Sequence, residues 1–293
     1  MANQTIVVTG ATGTVGSRIV KNLVALQREQ VVAFVRDPRK AAQLANEGAT
    51  LRRGIFEDPG ALREAFAGAD VLVLVTAGER LAEQSSAAIR AAREAGVRKV
   101  VRISSGKANA EQFTESTRQH ALADAELRAS GLAFVILCPN SFMQNLLFAV
   151  GSLRRDGTLY SGLGAGKLGF IDVRDIADAA AAAAVSDAWN GETLELTGPA
   201  ALDYNTVAAI ISRELGRPVT YVPVSPEAAG EGARRHGADE WTAKAITEFS
   251  FASSRGWGDY TTDNVAKLTG HRPRSLEDFV RDVLAPEVRA HRP

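Results

Sequence analysis

The sequence predicts an α/β fold, a doubly wound parallel sheet with a smaller C-terminal α/β lobe. Three observations lead there. Residues 5–9 form a short apolar strand that passes through Gly10-Ala11-Thr12-Gly13-Thr14-Val15-Gly16 directly into an amphipathic helix from residue 17. Short apolar segments then alternate with helix-length segments as far as residue 138, the rhythm of strands joined by crossover helices. From about residue 151 that rhythm breaks into a glycine-rich stretch, so the division expected is residues 1–150 for the main domain and 151–293 for a substrate lobe, with the chain free to cross between them.

The first turn has the chemistry of a dinucleotide site. Gly10 permits a tight turn as the strand ends, Gly13 lets backbone N–H groups approach a pyrophosphate, and Gly16 allows close packing of helix on strand. Thr12, Thr14 and Val15 complete the cradle, and the helix N-terminus turns unpaired N–H donors and a positive dipole end toward the anion. The next strand, residues 31–35, is a continuous apolar run of the kind covered on both faces, and it ends at Arg36. An arginine here pairs with the 2′-phosphate of NADP, where a carboxylate would take the ribose hydroxyl of NAD. Lys40 adds positive charge, while Asp37 followed by Pro38 reads as a helix cap.

A third strand at residues 50–53 leads through Gly54-Ile55-Phe56 into a helix ending near residue 68. Strand four, residues 70–76, delivers Thr76, Ala77 and Gly78. A helix over residues 80–95 closes at Gly96, and strand five, residues 99–103, delivers Ser104 and Ser105. The helix over residues 114–130 carries His120 and two alternative apolar stripes. Leu122, Ala125 and Ala129 form one, while Ala123 and Leu127 lie nearer His120; only if the latter faces the sheet does His120 point toward the cofactor, leaving the former for a second subunit of a homodimer. Strand six, residues 133–138, ends at Pro139, then Asn140, Phe142 and Asn145. Ligands of such sheets bind outside the carboxyl ends of the strands, so Thr76, Ala77, Gly78, Ser104, Ser105 and Pro139 join the cofactor set, and Asn140, Phe142 and Asn145 the substrate set. In the C-terminal lobe, Asp172 and Asp175 open an alanine-rich helix. A strand at 193–196, a helix from 203 to 215 closed by Gly216, a strand at 219–222 and helical segments after Pro226 follow.

Composition narrows the function classes. Lys+Arg and Asp+Glu both total 34, so no net field draws the protein to nucleic acid or to an anionic membrane. The longest apolar stretch, residues 177–185, is too short to span a bilayer, and no targeting segment is expected. The single cysteine, Cys138, cannot form an internal disulfide and reads as a buried thiol in a cytoplasmic protein. His236, His271 and His291 show no metal-ligand spacing, so no metal is expected.

Taken with Phe34-Val35-Arg36-Asp37-Pro38, Ala61-Leu62, Ala65 to Asp70, Arg128 to Leu132 and Phe170 to Ala177, the glycine turn resembles that of the NmrA-like branch of the atypical short-chain dehydrogenases/reductases. The resemblance covers nearly the whole chain. It implies a Rossmann domain binding NADP(H), a small C-terminal domain shaping a cleft, and either reduction of quinones and triphenylmethane dyes or cofactor sensing without chemistry. Typical short-chain dehydrogenases use a tyrosine with a lysine four residues later. Here Tyr160, Tyr204, Tyr221 and Tyr260 are followed at that place by Gly164, Ala208, Ser225 and Asn264, so the pair is missing. Similar quinone and dye reductases carry histidine where this chain has His120, which implies a proton donor for a planar electrophile reduced by hydride. Many relatives have Asp after the glycine that ends strand three, whereas Ile55 stands here, leaving adenine to Phe56 or backbone. The alternative reading is a silent NADP(H) sensor acting through a protein partner.

Overall fold

The computed structural model describes residues 4–27, 29–108 and 114–290; His291 lies outside them. In chain order the elements are β1 (Thr5–Val8), α1 (Gly16–Ala25), β2 (Gln30–Val35), a 3-10 turn (Pro38–Ala41), α2 (Ala42–Asn46), β3 (Thr50–Arg53), α3 (Pro59–Phe66), β4 (Val71–Leu74), α4 (Leu81–Glu94), β5 (Lys99–Ile103), α5 (Glu115–Ala129) and β6 (Ala133–Pro139). There follow α6 (Val150–Asp156), β7 (Thr158–Ser161), β8 (Lys167–Leu168), α7 (Val173–Val185), β9 (Thr193–Leu196), β10 (Leu202–Asp203), α8 (Tyr204–Leu215), β11 (Thr220–Pro223), α9 (Pro226–Arg235) and α10 (Glu240–Ser254). Shorter helical segments complete the chain to Arg289.

The seven-stranded sheet has the order β3-β2-β1-β4-β5-β6-β9. Registered pairs from β3 to β6 are all parallel. The strand order reverses between β1 and β4, the switch point at which such sheets bind ligands. Its strand β4, Val-Leu-Val-Leu, is apolar throughout because both faces are covered. On one face Val7, Leu72, Val100 and Ile136 pack beneath Leu62 and Phe66 of α3, Ala88 and Ile89 of α4 and Leu127 of α5. On the other, Ile19, Val20 and Leu23 recur at helical spacing along α1, which packs with the alanine-rich α7.

The chain forms two interleaved compact units. The first comprises residues 1–111, 117–138 and 173–195; the second comprises 112–116, 139–172 and 196–293. The chain, expected to be free to cross between residues 1–150 and 151–293, passes from one unit to the other several times. The physical cause is that α7 packs on α1, β4 and β5 while β9 extends the sheet beside β6, so residues 173–195 bury their apolar surface in the first unit.

The second unit has its own core, in which Leu153, Leu159, Phe170, Ile211, Phe279 and Leu284 are buried. Tyr204 lies between Phe170 and Tyr221, with ring centroids 6.0 and 5.4 Å away. Asp203 caps α8 by accepting from the Thr206 N–H, and Gly216 ends it at φ +69°. The glycine-rich stretch is not unstructured: β7 pairs in parallel with β11, and β8 antiparallel with β10.

Candidate functional site

The glycine turn sits at the switch point, and local sterics account for each glycine. Gly10 has φ +58°, and a Cβ there would lie 2.9 Å from the Val75 carbonyl oxygen. A Cβ on Gly16 would come within 2.2 Å of the Gly10 carbonyl oxygen, so only glycine lets α1 start this close to the turn. The Gly13 N–H donates to the Gly10 carbonyl at 2.9 Å, closing a turn in which Ala11 is buried and Thr12 exposed. Val15 heads α1 with no side-chain cap, the Ser17 N–H donates back to the Gly13 carbonyl at 3.0 Å, and the positive end of the helix faces the turn. These residues fit a dinucleotide pyrophosphate. Thr9, unmarked in the sequence, pins the turn: its hydroxyl donates to the Val75 carbonyl at 3.0 Å and accepts from the Val75 N–H at 2.9 Å.

At the end of β2, Arg36 is exposed, and Lys40 is exposed in the 3-10 turn that Asp37 caps through the Arg39 N–H at 3.1 Å. Register adds Arg53, which pairs with Val35 across β2 and β3 and supplies a third cation at this edge. The Arg39 hydrogen bonds, with Lys40 and Arg53 behind them, hold the Asp37 carboxyl below its ordinary range, so it stays ionised as cap. Phe56 packs edge-on against Phe34 at 5.8 Å, and Gly54 is small because a Cβ would meet the Phe34 ring at 2.5 Å. Thr76 turns inward, sharing a 2.8 Å hydrogen bond with Ser85 of α4, while Ala77 is exposed and Gly78 adopts φ +93°.

Beyond β5 lies a buried polar network. Helix α5 turns its His120 side to the sheet: Ala123 and Leu127 are buried, whereas Leu122 is 58% exposed. Arg102 of β5 is wholly buried and pairs through Nη1 with the Asp124 carboxylate, whose other oxygen accepts from the Ser104 hydroxyl at 2.7 Å. The second guanidinium nitrogen, Nη2, lies 3.2 Å from Nδ1 of His120. Because a guanidinium only donates, Nδ1 accepts and the imidazole carries its proton on Nε2. Burial first, and the Arg102 charge second, hold the His120 pKa well below its ordinary value, so the ring is neutral near pH 7. Burial also pushes the Asp124 carboxyl up against the opposing pull of Arg102. Cys138 is buried beside this network, and burial pushes its thiol up, as befits an inert packing group.

Arg102 and Asp124 escaped the sequence reading. The one available signal was the i, i+4 spacing of His120 and Asp124, which puts both on one helix face. Ser104 was expected to serve a cofactor, but its hydroxyl is directed to Asp124, leaving Ser105, half-buried, at the strand end.

Past Pro139, Asn140 is buried and donates from its amide nitrogen to the Gly258 carbonyl at 3.1 Å, while its amide oxygen accepts from the Ser141 N–H at 2.7 Å. Its amide therefore fixes the backbone of the second unit. Phe142 is half-buried and Asn145 exposed. No helix among the described residues is long and apolar enough to cross a membrane.

Comparison with known proteins agrees with this geometry. Residues 10–187 match the family model described as NAD(P)H-binding. The chain is 32% identical to an NAD(P)H azoreductase of Xenophilus azovorans, over 94% of this chain and 96% of that protein. It superposes with a TM-score of 0.88 on a crystal structure of an NADPH-dependent quinone oxidoreductase from Escherichia coli complexed with NADPH, at 27% identity, covering 95% of this chain and 99% of that one. A triphenylmethane reductase of Citrobacter sp. gives a TM-score of 0.86 at 25% identity, covering 96% and 99% of the two chains. The chain belongs to the NAD(P)H-binding family and is an NAD(P)H-dependent oxidoreductase of the NmrA-like branch of the atypical short-chain dehydrogenases/reductases.

Proposed function

We propose that the protein reduces quinone-like or other flat conjugated acceptors at the expense of NADPH. The observation that carries this reading is the meeting, on one sheet, of an anion cradle at the β1/β4 switch point with an α5 face that directs His120 toward β5, the next strand along. Gly10, Thr12, Gly13, Thr14, Val15 and Gly16 hold the pyrophosphate. Arg36, with Lys40 and Arg53, takes the 2′-phosphate, and Phe56, Ala77, Gly78, Ser105 and Pro139 border the rest of the nucleotide. Bound NADPH supplies a hydride. His120 answers the negative charge that develops on the acceptor. Names of the relatives support the acceptor class, since azo dyes, quinones and triphenylmethane dyes are all extended planar electrophiles.

Steady-state NADPH consumption with a benzoquinone, an azo dye and a triphenylmethane dye tests the reading. Turnover with at least one is expected; binding of NADPH without consumption across the panel would point instead to a sensor. Cofactor choice has its own test. Arg36→Ala should weaken NADPH binding by about 1.5–3 kcal/mol, roughly 10- to 100-fold in Kd, and leave NADH binding unchanged. Equal affinity of the wild type for NADPH and NADH would refute the assignment of Arg36.

A further inference from the structure

Arg102 and Asp124 form a clamp whose cost is visible. The Arg102 side chain is wholly buried, and its Nε–H has no partner among the described residues, although Asp124 and His120 occupy the two terminal nitrogens. A packing residue would fill this place without an unpaired buried donor. What the guanidinium does that an apolar side chain cannot is donate to Nδ1 of His120. Asp124, held in turn by Ser104, fixes the plane of the guanidinium and so the ring it addresses.

We propose that Arg102 is a positioning residue that locks His120 in the neutral Nε2–H tautomer, so that His120 serves the reaction as a fixed hydrogen-bond donor and not as an imidazolium acid. This rests on the reductase reading above. Nδ1 and Nε2 face opposite sides of the ring, so the bond from Arg102 leaves Nε2–H directed away from it, and that nitrogen takes no partner among the described residues. The charged groups around His120 are Arg102 from β5 and Asp124 one helical turn on. Of these, Arg102 is the one in hydrogen-bond contact, and its charge opposes a second proton on the ring. An acceptor that has gained a hydride carries an extra electron pair, which Nε2–H stabilises through a hydrogen bond. The proton that completes the reduction comes from water, and His120 ends as it began.

The test has a readout independent of turnover. In full-length protein labelled with nitrogen-15 at histidine, the His120 resonances, identified by their loss in His120→Gln, should show the neutral Nε2–H pattern without titration from pH 5.5 to 8. In the paired variant Arg102→Met/Asp124→Leu, which removes both charges together, the ring should show mixed tautomers, and its pKa should rise toward the unperturbed value of about 6.5 without reaching it, because burial remains. The wild-type pH profile of kcat should lack a histidine ionisation, and the paired variant should acquire one with KM little changed. Arg102→Lys, keeping the charge but not the planar fork, should restore the low pKa only in part. Wild-type His120 that protonates near pH 6.5, or that carries its proton on Nδ1, overturns the proposal even if no variant folds. The reductase reading fails separately: His120→Gln is expected to lower kcat roughly 100-fold, and unchanged turnover would remove His120 from the reaction while leaving the tautomer result standing.

Discussion

At the scale of single residues, His120 links function to acid stability. Its folded pKa lies well below the ordinary value near 6.5, so below about pH 6.5 the unfolded chain takes up a proton that the folded one refuses. Stability from this group is present above that pH and is lost as pH falls toward the folded pKa, with a slope of at most about 1.4 kcal/mol per pH unit. Asp124, whose folded pKa is raised, binds its proton more readily folded than unfolded and acts in the opposite sense, favouring the folded state under acid. Denaturant midpoints for wild type and His120→Gln between pH 5 and 8 separate the two, since Asp124 is common to both. The variant should lose the wild type's decline below pH 6.5, and parallel curves would contradict the neutral-ring assignment.

Elements differ in how far the sequence announces them. The turn from β1 into α1 was legible because glycine spacing, a preceding strand and a following helix all express the same steric demand, now visible as the 2.2 Å approach at Gly16. The caps Asp37 and Gly216 were legible for the same local reason. The facing of α5 was not, because the side it buries carries Thr117, His120 and Asp124, and their partner lies on another element. Strand β5 hid its role similarly. Lys-Val-Val-Arg-Ile looks like a strand with wet ends, yet Lys99 and Arg102 are both fully buried, on opposite faces, each bonded to a different helix. Lys99 donates at 2.9 Å to the carbonyls of both Ala183 and Ser186, closing the C-terminal end of α7, and reaches Asp187 at 3.3 Å. Burial lowers its pKa against the pull of Asp187. Lys99→Met keeps the length but strands two carbonyls, so it should cost about 1–3 kcal/mol, seen as a lower urea midpoint at unchanged m-value. A variant as stable as wild type would show that solvent reaches those carbonyls.

For the molecule as a whole, the sheet is assembled from distant stretches of sequence. Cutting after residue 150 removes α7 and β9 together, stripping the cover from α1, β4 and β5 and leaving β6 with an unpaired edge. A fragment of residues 1–150 should therefore aggregate or bind NADPH far more weakly than the full chain, as sedimentation and titration would show. A soluble monomer of full affinity would mean that the sheet is complete without them. The same interleaving constrains birth on the ribosome. Residues of the first unit emerge, wait while residues 139–172 of the second are made, and gain their last strand only once residue 195 has been synthesised. The nucleotide cradle is thus translated well before the sheet that supports it can close, so nascent chains depend on staying unpaired and uncaptured for that interval.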